Sequence, residues 1–139
     1  MNGNSFMSWV LRSPLHGMLS NSMLLITVKG RKTGKSYTTP VEYYRQDGSL
    51  WVMTLRSRTW WKNLRDRSEV SLLLKRKPML AFSEIDLDEG SVEARLYEYL
   101  KYMPHAAKPL GIQVENGIAN AEDVARVAKD RLFVRIKLK

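Results

Sequence analysis

The stretch Met23 to Leu55, MLLITVKGRKTGKSYTTPVEYYRQDGSLWVMTL, decides the fold. MLLITV is a short apolar run, GRKTGK a glycine-bounded turn, SYTTPVEYYR a second extended segment, QDG another turn and SLWVMTL a third run. Runs of this length, rich in β-branched and aromatic residues and punctuated by glycine turns, read as an antiparallel meander. Period two places Thr39, Val41 and Tyr43 on one face and Thr38, Pro40, Glu42 and Tyr44 on the other, which makes the second face the wetter one. Pro40 cannot donate a ladder hydrogen bond, so it belongs at an edge, a bulge or an opening toward a ligand.

Working outward, TWWKNLRDR opens with the capping residue Thr59 and carries Trp60, Trp61 and Leu64 on a turn-like spacing. EVSLLLK from Glu69 is a fourth strand, Lys75 to Pro78 a connecting turn and LAFSEIDL a fifth strand. Asp88, Glu89 and VEARLYEYLKYM form a helix with acidic residues in its first turn and Lys101 near its end, as the helix dipole prefers. Pro104 and Pro109 interrupt it, AEDVARVAKD is a shorter helix, and RLFVRIKLK is a sixth strand with alternating Leu132, Val134, Ile136 and Leu138. The expected fold is mainly β with peripheral helices, a six-stranded antiparallel barrel in a single domain over residues 1–139. Residues 4–20 are read as an N-terminal amphipathic helical segment, whether as one helix or two divided near Pro14. Its Arg12 and His16 supply too little positive charge to favour a membrane surface.

The 139 residues, 44% hydrophobic and 27% charged, suit one folded core. No apolar run is long enough to span a bilayer and no signal-peptide pattern opens the chain, so the expected compartment is the cytoplasm. With no cysteine and only His16 and His105 as imidazoles, neither disulfides, thiolate nucleophiles nor a zinc site is expected. The charge is uneven: residues 1–83 hold 14 basic and 4 acidic side chains, net +10, whereas residues 84–139 hold 9 and 10, net −1. The basic cluster from Lys29 to Lys77 is suited to phosphates or polycarboxylates.

In VKGRKTGKS, Gly30 and Gly34 permit tight or left-handed backbone, and Lys32, Thr33 and exposed amides could surround phosphate oxygens, so the turn reads either as a phosphate nest or as an ordinary basic hairpin turn. Its spacing is neither that of the nucleotide-binding P-loop nor that of a dinucleotide fingerprint. In TLRSRTWWKNL, Arg56 and Arg58 precede an apparent helix start that also offers amide donors to anions. Trp60 and Trp61 are adjacent and cannot share a helical face: one is expected to fill the core and the other to border a flat ligand, unless both pack in the core. Asn63 serves either a backbone loop or a ligand edge. Glu42 stands alone, Asp86, Asp88 and Glu89 look like caps, and neither histidine has a nucleophile or carboxylate at motif spacing, so no catalytic residue is assigned.

Together GRKTG, TTP, the aromatic strand, the basic loop and WWKNL resemble the deazaflavin (F420)-dependent nitroreductase family of the flavin-binding split-barrel superfold, over roughly Met18 to Lys75. The resemblance implies an FMN-binding-like split barrel that binds F420 and passes a hydride from its reduced form to quinones, nitro compounds or other electron-poor small-molecule acceptors. It implies that Lys32 meets the cofactor's phosphate or polyglutamate tail, with Arg31, Thr33 and Gly34 supporting the turn. Arg56, Trp60, Asn63 and Pro40 match family positions around the cofactor, and Leu55 lies where the family often has serine. Tyr37 stands where the family often has arginine, and Lys35 or Arg58 is the expected replacement for that charge. FMN is the alternative cofactor. A noncatalytic flavin-binding protein and a basic nucleic-acid-binding barrel are the alternative functions, the latter disfavoured by the order of the motifs. A homodimer is expected of a split barrel of this size.

Overall fold

The computed structural model describes residues 23–30, 34–64, 67–75 and 77–139. The segment expected to be helical at 4–20 lies outside them. The chain divides into two compact units, one holding described residues of 23–52, 59–85 and 134–139, the other 53–58 and 86–133.

The first unit is built on strands β1 (Met23–Lys29), β2 (Ser36–Glu42), β3 (Tyr44–Gln46), β4 (Ser49–Leu55), β5 (Ser68–Leu74), β6 (Lys77–Asp86) and, after two short strands described below, β9 (Arg131–Leu138). They join in one sheet in the order β2-β1-β5-β6-β9-β4-β3. The sixfold count becomes seven because SYTTPVEYYR is broken at Tyr43. Both pairings of the expected meander form, but on separate halves of that segment: β2 pairs antiparallel with β1, Leu25 opposite Pro40, and β3 with β4, Tyr44 opposite Trp51. The two ends of the strand order are thus one residue apart in the chain, so the sheet must curl on itself into a split barrel.

The break also shifts the pleat. Pro40 is exposed, Val41 buried and Glu42 exposed, as alternation requires, yet Tyr43 and Tyr44 are both buried and Arg45 is exposed. Tyr44 therefore does not lie on the wetter face. An extra unpaired residue moves every following side chain to the other side. Pro40 sits on β2, a terminal strand of the order, where a missing donor is tolerated. Leu24, Ile26, Leu50, Val52, Leu72, Ala81, Val134 and Ile136 are buried in this unit, each large side chain contributing about 1.5–3 kcal/mol of burial. The turn after β5 is tighter than expected: Pro78 is already in β6, opposite Leu73. In place of a helix from Thr59, the chain makes a five-residue 3-10 turn, Trp60–Leu64.

The second unit holds α1 (Glu89–Tyr102), a 3-10 turn (Pro104–Ala106), α2 (Ala107–Leu110), β7 (Val114–Glu115), β8 (Ile118–Ala119) and α3 (Ala121–Asp130). Asp88 caps α1 by accepting from the Ser91 amide at 2.9 Å, and Asn120 caps α3 by accepting from the Asp123 amide at 3.0 Å. The helices pack on each other through Val92, Leu96 and Leu100 on α1 and Val124, Val127 and Ala128 on α3, all buried. Tyr99 meets Phe133 edge-on at 6.0 Å between ring centroids. The β7–β8 hairpin was not expected. Its signal is Asn116–Gly117, whose left-handed pair (φ 53° and 76°) is the favoured two-residue hairpin turn. Among the described residues no helix is long and apolar enough to cross a membrane.

Candidate functional site

The first unit carries a groove of about 520 Å³ lined by Lys29 at the end of β1, Gly30 and Gly34 of the following turn, Asn63 and Leu64 of the 3-10 turn, and Ser68 and Glu69 at the start of β5. The walls meet because β1 and β5 are antiparallel neighbours, with Thr27 opposite Ser71. Counted on in the same register, Lys29 comes level with Glu69.

The turn is closed by its own backbone. The Gly30 amide donates to the Lys35 carbonyl at 2.7 Å and the Gly34 amide to the Gly30 carbonyl at 2.9 Å. Gly34 has φ 71°, a left-handed conformation that a side chain would strain. These two amides are therefore consumed within the turn rather than offered to an anion as in a phosphate nest. Recognition along the described wall falls to side chains. Lys29 supplies a cation, and Glu69 is ion-paired with Lys139, which offsets the carboxylate a phosphate or polyglutamate tail would otherwise meet.

On the facing wall, the Asn63 side-chain amide donates to the Trp60 carbonyl at 3.3 Å, the loop-stabilising role anticipated for it, while its side chain still lines the groove. Ser83 Oγ donates to the Ser68 carbonyl at 3.1 Å and fixes the floor of that strand. Trp61 is 5% exposed and belongs to the core, whereas Trp60 is half-buried, the division of labour that adjacency demanded. The indole N–H of Trp61 has no hydrogen-bond partner among the described residues.

Of the residues the sequence singled out, Gly34 and Asn63 come together on this groove, and Lys35 and Trp60 adjoin it in sequence. Pro40 lies on β2 and is not part of the lining. Arg31, Lys32 and Thr33 lie outside the described residues. Leu55, Arg56 and Arg58 belong to the second unit. There the Arg56 amide donates to the Asp130 carbonyl at 2.9 Å and its guanidinium to the Ala128 carbonyl at 3.1 Å, so Arg56 closes the C-terminal end of α3. Its Nε is buried without a hydrogen-bond partner among the described residues. Arg58 is exposed after a turn in which its amide donates to Leu55 at 3.1 Å.

Ser68 and Glu69 are groove residues that the motifs did not mark. The signal that finds them is register: once MLLITVK is paired with SEVSLLL, the head of the second strand must flank the tail of the first. Among the tyrosines, Tyr44 and Tyr99 are core residues and Tyr102 is half exposed. Tyr43 is 7% exposed, and burial raises its phenol above the ordinary tyrosine value, with nearby Arg45 opposing the shift.

Residues 13–118 match the family described as F420H(2)-dependent quinone reductase. No curated protein matches the chain. Similar solved structures include a candidate pyridoxamine 5'-phosphate oxidase from Listeria innocua, 9% identical, with a TM-score of 0.56 over 96% of this chain and 94% of that one. A protein described as a domain-swapped dimer is 16% identical, with a TM-score of 0.57 over 98% of this chain and 96% of that one. A conserved hypothetical protein from Mycobacterium tuberculosis is 18% identical, with a TM-score of 0.52 over 100% of this chain and 81% of that one. At these identities the likeness is one of fold, the flavin-binding split barrel.

Proposed function

Because this chain belongs to the F420H(2)-dependent quinone reductase family, and is thereby an F420-dependent oxidoreductase, we propose that its electron acceptors are quinones, nitro compounds or other electron-poor small molecules. The observation that carries the reading is the groove at Lys29, Gly34 and Asn63, which falls within the matched span and next to the motif from which the family resemblance was drawn. F420 rather than FMN is the cofactor.

The groove's chemistry fits the acidic tail of that cofactor. Lys29 on the groove and Lys35, next to it in sequence, supply positive charge, Lys139 neutralises Glu69, and Asn63 lines the wall. Arg31, Lys32 and Thr33 lie between Gly30 and Gly34 in sequence, and they remain proposed cofactor contacts by the family resemblance. Pro40, Leu55, Arg56, Arg58 and Trp60 are the further positions that the family resemblance assigns to the cofactor. The reduced deazaflavin supplies the hydride when bound. This chain's residues bind and orient: cations fix the tail, and the left-handed Gly34 holds the turn that presents them. A quinone that accepts a hydride also needs a proton to become the hydroquinone; water is the proposed source, with Tyr43 or Tyr44 as the alternative.

The protein is read as one cytoplasmic domain that pairs into a homodimer, a reading supported by the similar structure described as a domain-swapped dimer. No nucleic acid or membrane is part of it. The test is a titration of oxidised F420 against FMN, followed by optical monitoring of reduced F420 with menadione and with a nitroaromatic. Tight F420 binding and acceptor-dependent oxidation are expected. F420 binding without turnover would leave a carrier or sensor, and tighter FMN binding would replace the cofactor.

A further inference from the structure

A second, larger groove of about 900 Å³ lies within the helical unit and is lined by none of the residues assigned to the cofactor. Its apolar walls are Tyr97 and Leu100 of α1, Ile112, and Val114 and Ile118 of the β7–β8 hairpin. Its size is at the upper end of the range of small-molecule sites.

The hairpin is held by polar ties that leave its apolar side chains unspent. The Gln113 amide donates to Asp123 Oδ2 at 2.9 Å, the Asn120 amide to the Gln113 carbonyl at 2.8 Å, and the Arg126 guanidinium to the Gly111 carbonyl at 2.8 Å. Val114 and Ile118 consequently remain 46% and 71% exposed. Apolar side chains kept in water along a concave wall mark a binding surface rather than a core.

The charges on the groove have one sign. Lys101 and Lys108 line it beside His105, and among the described residues no carboxylate does. Lys108 has no ion-pair partner among the described residues. Lys101 pairs with Glu98 at 3.3 Å, an exposed i,i+3 pair that holds it weakly. An apolar trough with a basic rim complements an aliphatic chain that ends in an anion.

From this geometry we infer that the groove is a binding site for a long-chain carboxylate, its chain against Leu100, Val114 and Ile118 and its head at Lys108 and Lys101. The site is independent of the F420 assignment and requires no redox step.

The test is a fluorescence titration of the full-length chain with cis-parinaric acid, below micellar concentrations, with displacement by dodecanoate and by dodecanol. Saturable binding is expected, with dodecanoate displacing the probe about tenfold better than dodecanol, the preference a single favourable ionic contact supplies. Ile118→Asp should weaken binding about tenfold or more, since it sets a carboxylate in the chain's path, and Lys108→Glu should erase the preference for the acid; far-UV circular dichroism checks that both variants fold. No saturable binding, equal displacement by dodecanol, or an unchanged Ile118→Asp variant would overturn the proposal. Retention on phosphatidylglycerol vesicles without displacement by free dodecanoate would overturn it in favour of a lipid surface. Loss of F420 affinity in Ile118→Asp would overturn it by returning the groove to the cofactor.

Discussion

Arg56 and Ala128 are 72 residues apart in the chain and joined by a hydrogen bond of 3.1 Å from guanidinium to carbonyl. A residue marked by the sequence as a cofactor contact thus also closes a helix whose last carbonyls would otherwise be orphaned. Arg56→Ala should therefore lower stability by about 1.5–3 kcal/mol in urea unfolding, the worth of a charged hydrogen bond. If Arg56 also serves F420, affinity falls with it, and Arg56→Lys restores stability only in part. Unchanged F420 affinity would confine Arg56 to the helix end.

Gly34 sets the shape of the basic turn through its left-handed backbone. Gly34→Ala has open space for its methyl group, so its cost is conformational, about 1–2 kcal/mol. Gly34→Asn should cost less, since asparagine tolerates that region. Both stabilities and F420 affinities are expected in the order Gly, Asn, Ala. Equal values for all three would mean that the turn's conformation does not matter.

Glu69 lines the groove proposed for the cofactor, with its charge offset by Lys139. Glu69→Gln should tighten F420 binding and steepen its salt dependence, while Lys29→Ala should weaken both. Titrations at low and high salt would decide this. Weaker binding by Glu69→Gln would show the carboxylate to be a ligand rather than a burden.

Burial raises the Tyr43 phenol above the ordinary tyrosine value, with nearby Arg45 opposing the shift. The folded state then keeps a proton that the unfolded state loses. The phenol's contribution is present below the unfolded pKa and is lost as pH rises through the folded value. Stability of the parent chain should fall with pH above about 10, and Tyr43→Phe should flatten that fall. An identical alkaline slope in the variant would remove Tyr43 from the effect.

Leu72 is fully buried on β5, between β1 and β6 in the sheet. Leu72→Ala should cost about 2–5 kcal/mol in chemical unfolding. A loss below about 1 kcal/mol would mean that the barrel wall collapses around the gap.

Much of the architecture was legible locally. Asp88 caps the helix anticipated from its acidic first turn, Asn120 caps the shorter helix read at AEDVARVAKD, and Asp47–Gly48 makes the expected turn before SLWVMTL. The seventh strand was not legible, because both sides of Tyr43 have the same strand-forming residues and only barrel closure demands the slip. The β7–β8 hairpin was legible in Asn116–Gly117, but its two-residue strands are too short to show a period. At the candidate site, glycines and cations near 30–35 allowed either an anion site or an ordinary basic turn, and whether the Gly30 and Gly34 amides were available depended on hydrogen bonds to Lys35 and Gly30 that composition does not encode.

The sequence by itself determined the class of fold, the helix ends, the basic character of the first part of the chain and the family resemblance, because periodicity, caps and motifs are properties of neighbouring residues. Only the tertiary structure decided that β1 and β5 are neighbours, that Ser68 and Glu69 therefore wall the groove, and that Arg56 closes a helix 72 residues away. Those facts depend on which nonlocal pairing buries the most apolar surface while satisfying the backbone, a competition among whole arrangements of the chain that no local stretch can settle.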